Sequence, residues 1–123
     1  MDYTNTVVTN IFKNKLWKMV NQRVASDITR LDADDVNGAY NDGAETFELD
    51  SIDDLVVDNI ETELDESITQ VEGELFLDVT LKGFKEFNGE IVNAGYYPLK
   101  MVYHFVFEKN GNKYENISFE YLD

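Results

Sequence analysis

The sequence predicts an α+β domain in which a long N-terminal amphipathic helix packs on an antiparallel sheet of four to five strands. Three observations predict it. Apolar residues recur at helical spacing from residue 6 to residue 31, apolar and charged residues alternate from Val71 to Lys82, and two alternating C-terminal runs meet at Asn110-Gly111 as in a β-hairpin. A length of 123 residues suits one domain with one core. Hydrophobic content of 43% places the chain outside the disordered class in spite of a net charge of −15.

The helix is expected over residues 6–31. Val8, Ile11, Phe12, Leu16, Met19, Val20, Val24, Ile28 and Leu31 recur at three- and four-residue steps, which lines one face of a helix. Lys13, Lys15, Lys18, Arg23 and Arg30 make it the only net-positive element. Residues 32–45 then read as an acidic loop, because Asp, Asn and Gly in DADDVNGAYNDG favour turns. A calcium loop does not fit this stretch. Counting from Asp32 puts Val36 and Asn37 where that pattern needs a ligand and a glycine, and no Glu falls at its twelfth position.

Residues 46–82 are read as acidic strands. Thr46 to Leu49 suits a short strand. From Ile52 to Ile68 the apolar residues satisfy a helical period, yet Val56, Ile60, Thr62 and Leu64 also alternate as in a strand. Six of the ten residues from 55 to 64 are Val, Asp, Asn, Ile or Thr, all poor helix formers, so the strand is preferred. In the next strand Val71, Leu75, Leu77, Val79 and Leu81 occupy the core phase, and Glu72, Glu74, Asp78 and Lys82 the wet one. Matching the two strands requires an even-length turn or a bulge around Asp65 to Ile68. Glu61, Glu63, Asp65, Glu72, Glu74 and Asp78 then share one outer face.

Residues 83–98 carry three glycines and the only proline, which predicts a loop with at most a short strand at 90–93. Residues 99–122 form the hairpin. A three-residue turn with a left-handed Gly111 puts Met101, Tyr103 and Phe105 with Ile117, Phe119 and Tyr121 on the core side. Val102, His104 and Val106 then lie outside with Asn116, Ser118 and Glu120.

The charge is a block. Residues 31–81 hold 17 Asp and Glu and no Lys or Arg, while the two ends nearly balance. Solubility needs a net charge of only about 2 to 8 in magnitude for a small domain, and like charges on adjacent strands cost roughly 0.2–1 kcal/mol per facing pair. Alternate residues of a strand lie roughly 6.8 Å apart, and each strand of duplex DNA carries one charge per about 3.4 Å of axis. Two adjacent acidic strands therefore approach the charge density of a nucleic-acid strand.

No catalytic or cofactor motif accompanies the block. There is no cysteine and no GxxxxGK phosphate loop. The single histidine, His104, and Ser118 lie mid-strand, away from any turn that would present a nucleophile or an oxyanion hole. The N-terminal MDYTNTVVTN lacks the basic and apolar regions of a signal peptide, and no run reaches the roughly 18 apolar residues of a membrane span. A cytoplasmic protein without cofactor is expected, and the acidity argues against nucleic acid or an anionic membrane as direct partners.

In size, acidity and lack of catalytic residues the chain resembles the phage and mobile-element inhibitors of host nucleic-acid enzymes, among them anti-CRISPR and anti-restriction proteins. The resemblance is one of composition. It implies a non-enzymatic inhibitor that presents a phosphate-like charge pattern to a basic nucleic-acid-binding site. Glu61, Glu63, Asp65, Glu72, Glu74 and Asp78 would form the centre, Asp32, Asp34, Asp35 and Asp42 a flank, and Tyr96 and Tyr97 a less salt-sensitive anchor. Two other readings stand beside it. One is an interaction module of immunity or antitoxin type, or a homodimer in which the positive helix meets another copy's acidic sheet. The other is a cystatin-like or NTF2-like domain with a small-ligand pocket.

Overall fold

A computed structural model describes residues 2–122. Strand covers 58% of the structure and helix 24%, and the sheet is largely antiparallel. The predicted long helix on a sheet is therefore not the architecture. Residues 6–31 form two helices, α1 (Asn5–Asn14) and α2 (Trp17–Ile28). Thr4 caps α1 by accepting from the Val7 N–H at 3.1 Å. At its other end the Lys15 and Leu16 N–H groups both bond to the Ile11 carbonyl, at 2.8 and 3.1 Å, and the helical ladder stops. No Gly or Pro marks the break.

The acidic connection contains a 3-10 turn at Ala33–Asp35 and a one-turn helix, α3 (Ala39–Asp42). Four strands follow in the order β1 (Thr46–Asp65), β2 (Ile68–Phe87), β3 (Glu90–Asn110) and β4 (Lys113–Tyr121), and their order in the sheet is the same. The short strand expected at 46–49 is thus the start of a strand of 20 residues. The loop expected over 83–98 is absent as well. There β2 turns into β3 through Asn88 and Gly89, both at positive φ (52° and 81°), the backbone that a two-residue type I′ turn requires. Gly83 and Gly95 lie within strands instead.

The last hairpin turns one residue later than predicted, at Gly111-Asn112 rather than Asn110-Gly111. Asn110 pairs with Lys113, and Gly111 takes φ 61° as the first central residue of a two-residue turn. The faces nevertheless sort. Phe105 lies opposite Phe119 and Tyr103 opposite Tyr121, because an irregularity beside Val106 and a left-handed Asn116 (φ 50°) shift the register by one.

The described chain gathers into two compact units, one of Met1–Trp17, Leu55–Leu77 and Met101–Asp123, the other of Lys18–Asp54 and Asp78–Lys100. In the first unit α1 lays Val8, Ile11 and Phe12 on the sheet, and Leu55, Val57, Val71, Leu75, Tyr103, Phe105 and Phe107 are buried against them. The Phe12 ring meets Phe105 edge-on at 4.7 Å and Phe107 at 5.9 Å. In the second unit Val20, Val24 and Ile28, at four-residue steps along α2, are buried together with Phe47, Val79, Leu81 and Tyr97.

Along β1 the phase changes where the sequence placed no break. Leu55 and Val57 are buried. Asp58 then accepts from the Asn5 side chain of α1 at 3.0 Å, on the core side. Asn59 takes φ 56°, and its amide donates to Glu74 on the other side at 2.7 Å. One residue is therefore extra, as in a bulge. Beyond it Glu61, Glu63 and Asp65 fall in the phase of Asn59 and Glu74, while of the residues expected to face the core Ile60 is half-buried and Thr62 and Leu64 are exposed, Leu64 to 72%. The predicted phase change is present, inside the strand rather than at its turn.

Candidate functional site

The outer face of the first unit collects five of the predicted carboxylates. Glu72 and Glu74 project from β2 opposite the buried Val71, Gly73 and Leu75, and each has a local partner. Glu72 lies 3.3 Å from the His104 Nε2, and Glu74 accepts from Asn59. His104 in turn faces Glu120 across the β3/β4 ladder. Ser118 faces Val106 instead, so the imagined serine and histidine are not opposite one another.

Glu61, Glu63 and Asp65 are exposed, and none has a hydrogen-bond or ion-pair partner among the described residues. They stand at alternate positions of β1, an edge strand. Glu63 and Asp65, with Ile68, Gln70 and Glu108, line an open groove of about 230 Å³. No Lys or Arg occurs between Leu55 and Leu77. Among the described residues no three His, Asp or Glu side chains come together closely enough to hold a metal ion. The carboxylates are spread along strands, which suits an extended partner better than an ion.

The other predicted residues belong to the second unit, and most are engaged. Asp78 pairs with Lys100 at 3.2 Å. Asp35 accepts from the Asp32 N–H at 2.8 Å and closes the 3-10 turn, with Asp34 exposed between them. Asp42 accepts from the Tyr97 hydroxyl at 2.7 Å. Tyr97 is only 5% exposed and packs edge-on against Phe47, so it holds the fold together and does not reach outward. Burial, and then the Asp42 hydrogen bond and charge, push its hydroxyl up to about 12. Tyr96 beside it is exposed. Asp53 accepts from Thr80 at 2.6 Å and from Ser51 at 2.7 Å, and these two bonds hold its carboxyl below the usual range.

No known protein family, characterised protein or solved structure matches the chain. The site rests on its own geometry.

Sequence reasoning set Glu120 on the outer side with His104 but left it out of the site, and it missed Glu108, which adds to the acidic surroundings of Glu63, and Phe76. All three were readable from phase, because 76, 108 and 120 fall in the outward register of β2, β3 and β4. Among the described residues no helix is long and apolar enough to cross a membrane.

Proposed function

We propose that the protein is a non-enzymatic inhibitor that presents the carboxylates of its first unit to a basic nucleic-acid-binding site of a partner protein. The observation that carries this reading is the row Glu61, Glu63 and Asp65, exposed and without internal partners on an edge strand. Carboxylates kept only for folding would be expected to find local cations or donors, as Asp78 and Asp42 do. Alternate positions place the three at roughly 6.8 Å intervals, with Glu72 and Glu74 on the neighbouring strand. A basic channel built to track phosphates meets such a row at comparable charge density, and long-range attraction speeds the encounter.

The test is capture from a host lysate on the immobilised whole chain at low and high salt. The variant Glu61→Gln/Glu63→Gln/Asp65→Asn/Glu72→Gln/Glu74→Gln serves as the comparison. The reading expects nucleic-acid-binding enzymes to be retained by the wild type, released by salt, displaced by duplex DNA and lost with the variant. Retention that survives both salt and neutralisation overturns it.

A further inference from the structure

The acidic face of the first unit has an apolar centre. Phe76 projects from it between the buried Leu75 and Leu77 and is 37% exposed, and Val56 of β1 is 47% exposed between the buried Leu55 and Val57. Val102 and Val106 occupy the same outward phase of β3, both half-buried. Leu122, 44% exposed, lies beside Val102, since its N–H donates to the Val102 carbonyl at 2.8 Å. Val56, Phe76 and Val102 thus give the outward side of β1, β2 and β3 an apolar strip, and Leu122 extends it just past the end of β4. Carboxylates border it: Glu74 next to Phe76 along β2, then Glu72, His104 and Glu120 side by side across β2, β3 and β4.

A sheet ordinarily buries its apolar surface against a second layer. On the inner face α1 supplies that layer through Val8, Ile11 and Phe12. The outer face is open at Val56, Phe76 and Leu122, and charge selects what can cover it. A second copy placed face to face would set acid-rimmed surface against acid-rimmed surface, because no Lys or Arg occurs in residues 55–77, 101–107 or 115–122. The lysine- and arginine-bearing helices α1 and α2 of another copy have no apolar ridge to offer, since theirs is already buried. Nucleic acid is repelled for the same reason. What complements the face is an element with an apolar ridge flanked by cations.

We infer that the outer face of the first unit is the docking surface for a basic amphipathic helix of the partner protein. Its apolar ridge lies on Val56, Phe76, Val102 and Leu122, and its Lys and Arg side chains meet Glu72, Glu74 and Glu120. This rests on the reading that the face binds a basic protein, and adds that the contact is a packed helix as well as a charge match. The consequence is a contact that salt weakens without abolishing, because screening acts on the ion pairs and leaves apolar burial intact.

The experiment uses the whole chain and two synthetic peptides with equal numbers of lysines. One repeats Leu and Lys at helical spacing, and the other has Gln in place of every Leu. Dissociation constants are read by fluorescence anisotropy at low and high salt, and wild-type amide shift perturbations map the contact by NMR. The expected result is roughly tenfold tighter binding of the Leu/Lys peptide, or about 1.4 kcal/mol, with shifts centred on Val56, Phe76 and Val102. Phe76→Ser should remove that advantage and leave the Gln/Lys peptide unaffected. The wild-type map tests the inference even if this variant folds poorly. Equal affinity for both peptides, or shifts elsewhere, overturns the docking inference. If the Gln/Lys peptide still binds at low salt and is lost with Glu72→Gln/Glu74→Gln, the charge reading survives that failure. If neither peptide binds, both fall.

Discussion

The Tyr97 hydroxyl donates to the Asp42 carboxylate at 2.7 Å while its ring covers Gly83, where an added Cβ would come within 2.8 Å of a ring carbon. One tyrosine thus ties the one-turn helix α3 to the sheet and fills the gap over a strand glycine. In the second unit this is the arrangement most exposed to mutation and to pH.

Alkaline stability should depend on Tyr97. Its folded pKa is pushed up to about 12, against about 10 for an unfolded tyrosine. Between these values the folded state holds a proton that the unfolded state has released, so unfolding becomes easier as pH rises. The contribution is complete below about pH 10 and lost towards pH 12. Urea unfolding across this window should show a steeper decline for the wild type than for Tyr97→Phe.

Gly83→Ala should destabilise the protein by about 1–3 kcal/mol, the usual cost of overpacking. The clash is with the Tyr97 ring at 2.8 Å and the Ala44 Cβ at 3.2 Å. Gly89→Ala meets no atom within 4 Å and is strained only by its φ of 81°. Its loss should therefore not change when Tyr97 is also replaced by Leu, whereas that of Gly83→Ala should shrink. Denaturant midpoints of the wild type, Tyr97→Leu, the two glycine variants and the two double variants check this.

At Asn59, φ is 56° and the side chain bonds to Glu74. Asn59→Val should cost about 1–2 kcal/mol from left-handed strain alone, plus about 1 kcal/mol for the lost hydrogen bond. Asn59→Gly removes the strain and loses only the bond. Thermal melts that rank the two variants in the opposite order would refute the bulge as the cause of the phase change.

β1 is an edge strand, and charged side chains on an edge hinder pairing with another sheet. Glu61→Gln/Glu63→Gln/Asp65→Asn should therefore show a higher mean mass than the wild type by light scattering at equal concentration, rising with concentration. An unchanged mass would mean that these carboxylates do not guard the edge.

Legibility in the sequence followed local chemistry. β2 was readable from Val71 to Leu81 because one face is core and the other wet without interruption. The break between α1 and α2 was not, since Phe12, Leu16 and Val20 keep helical phase across it and no Gly or Pro intervenes. The interruption follows from tertiary packing, with Phe12 in the core of one unit and Val20 in that of the other. Asn88-Gly89 carried the same hairpin signal as Asn110-Gly111, and the surrounding glycines masked it. Gly83 reads as loop punctuation in the sequence, whereas in the strand it leaves room for the Tyr97 ring.

For the candidate site, alternation identified Glu61, Glu63, Asp65, Glu72 and Glu74 as one face. It could not tell an engaged carboxylate from a free one. That distinction depends on partners remote in sequence, such as Lys100 for Asp78 and Tyr97 for Asp42.

The first unit joins stretches far apart in the chain: Phe12 of α1 is covered by Phe105 and Phe107. During translation α1 leaves the ribosome long before the rings that shelter it, and must wait through the synthesis of β1 and β2 with its apolar side bare. Such distant pairing makes for slow folding. A nascent chain that stalls before β3 would therefore display an unsheltered Phe12, a ready target for a chaperone or a protease.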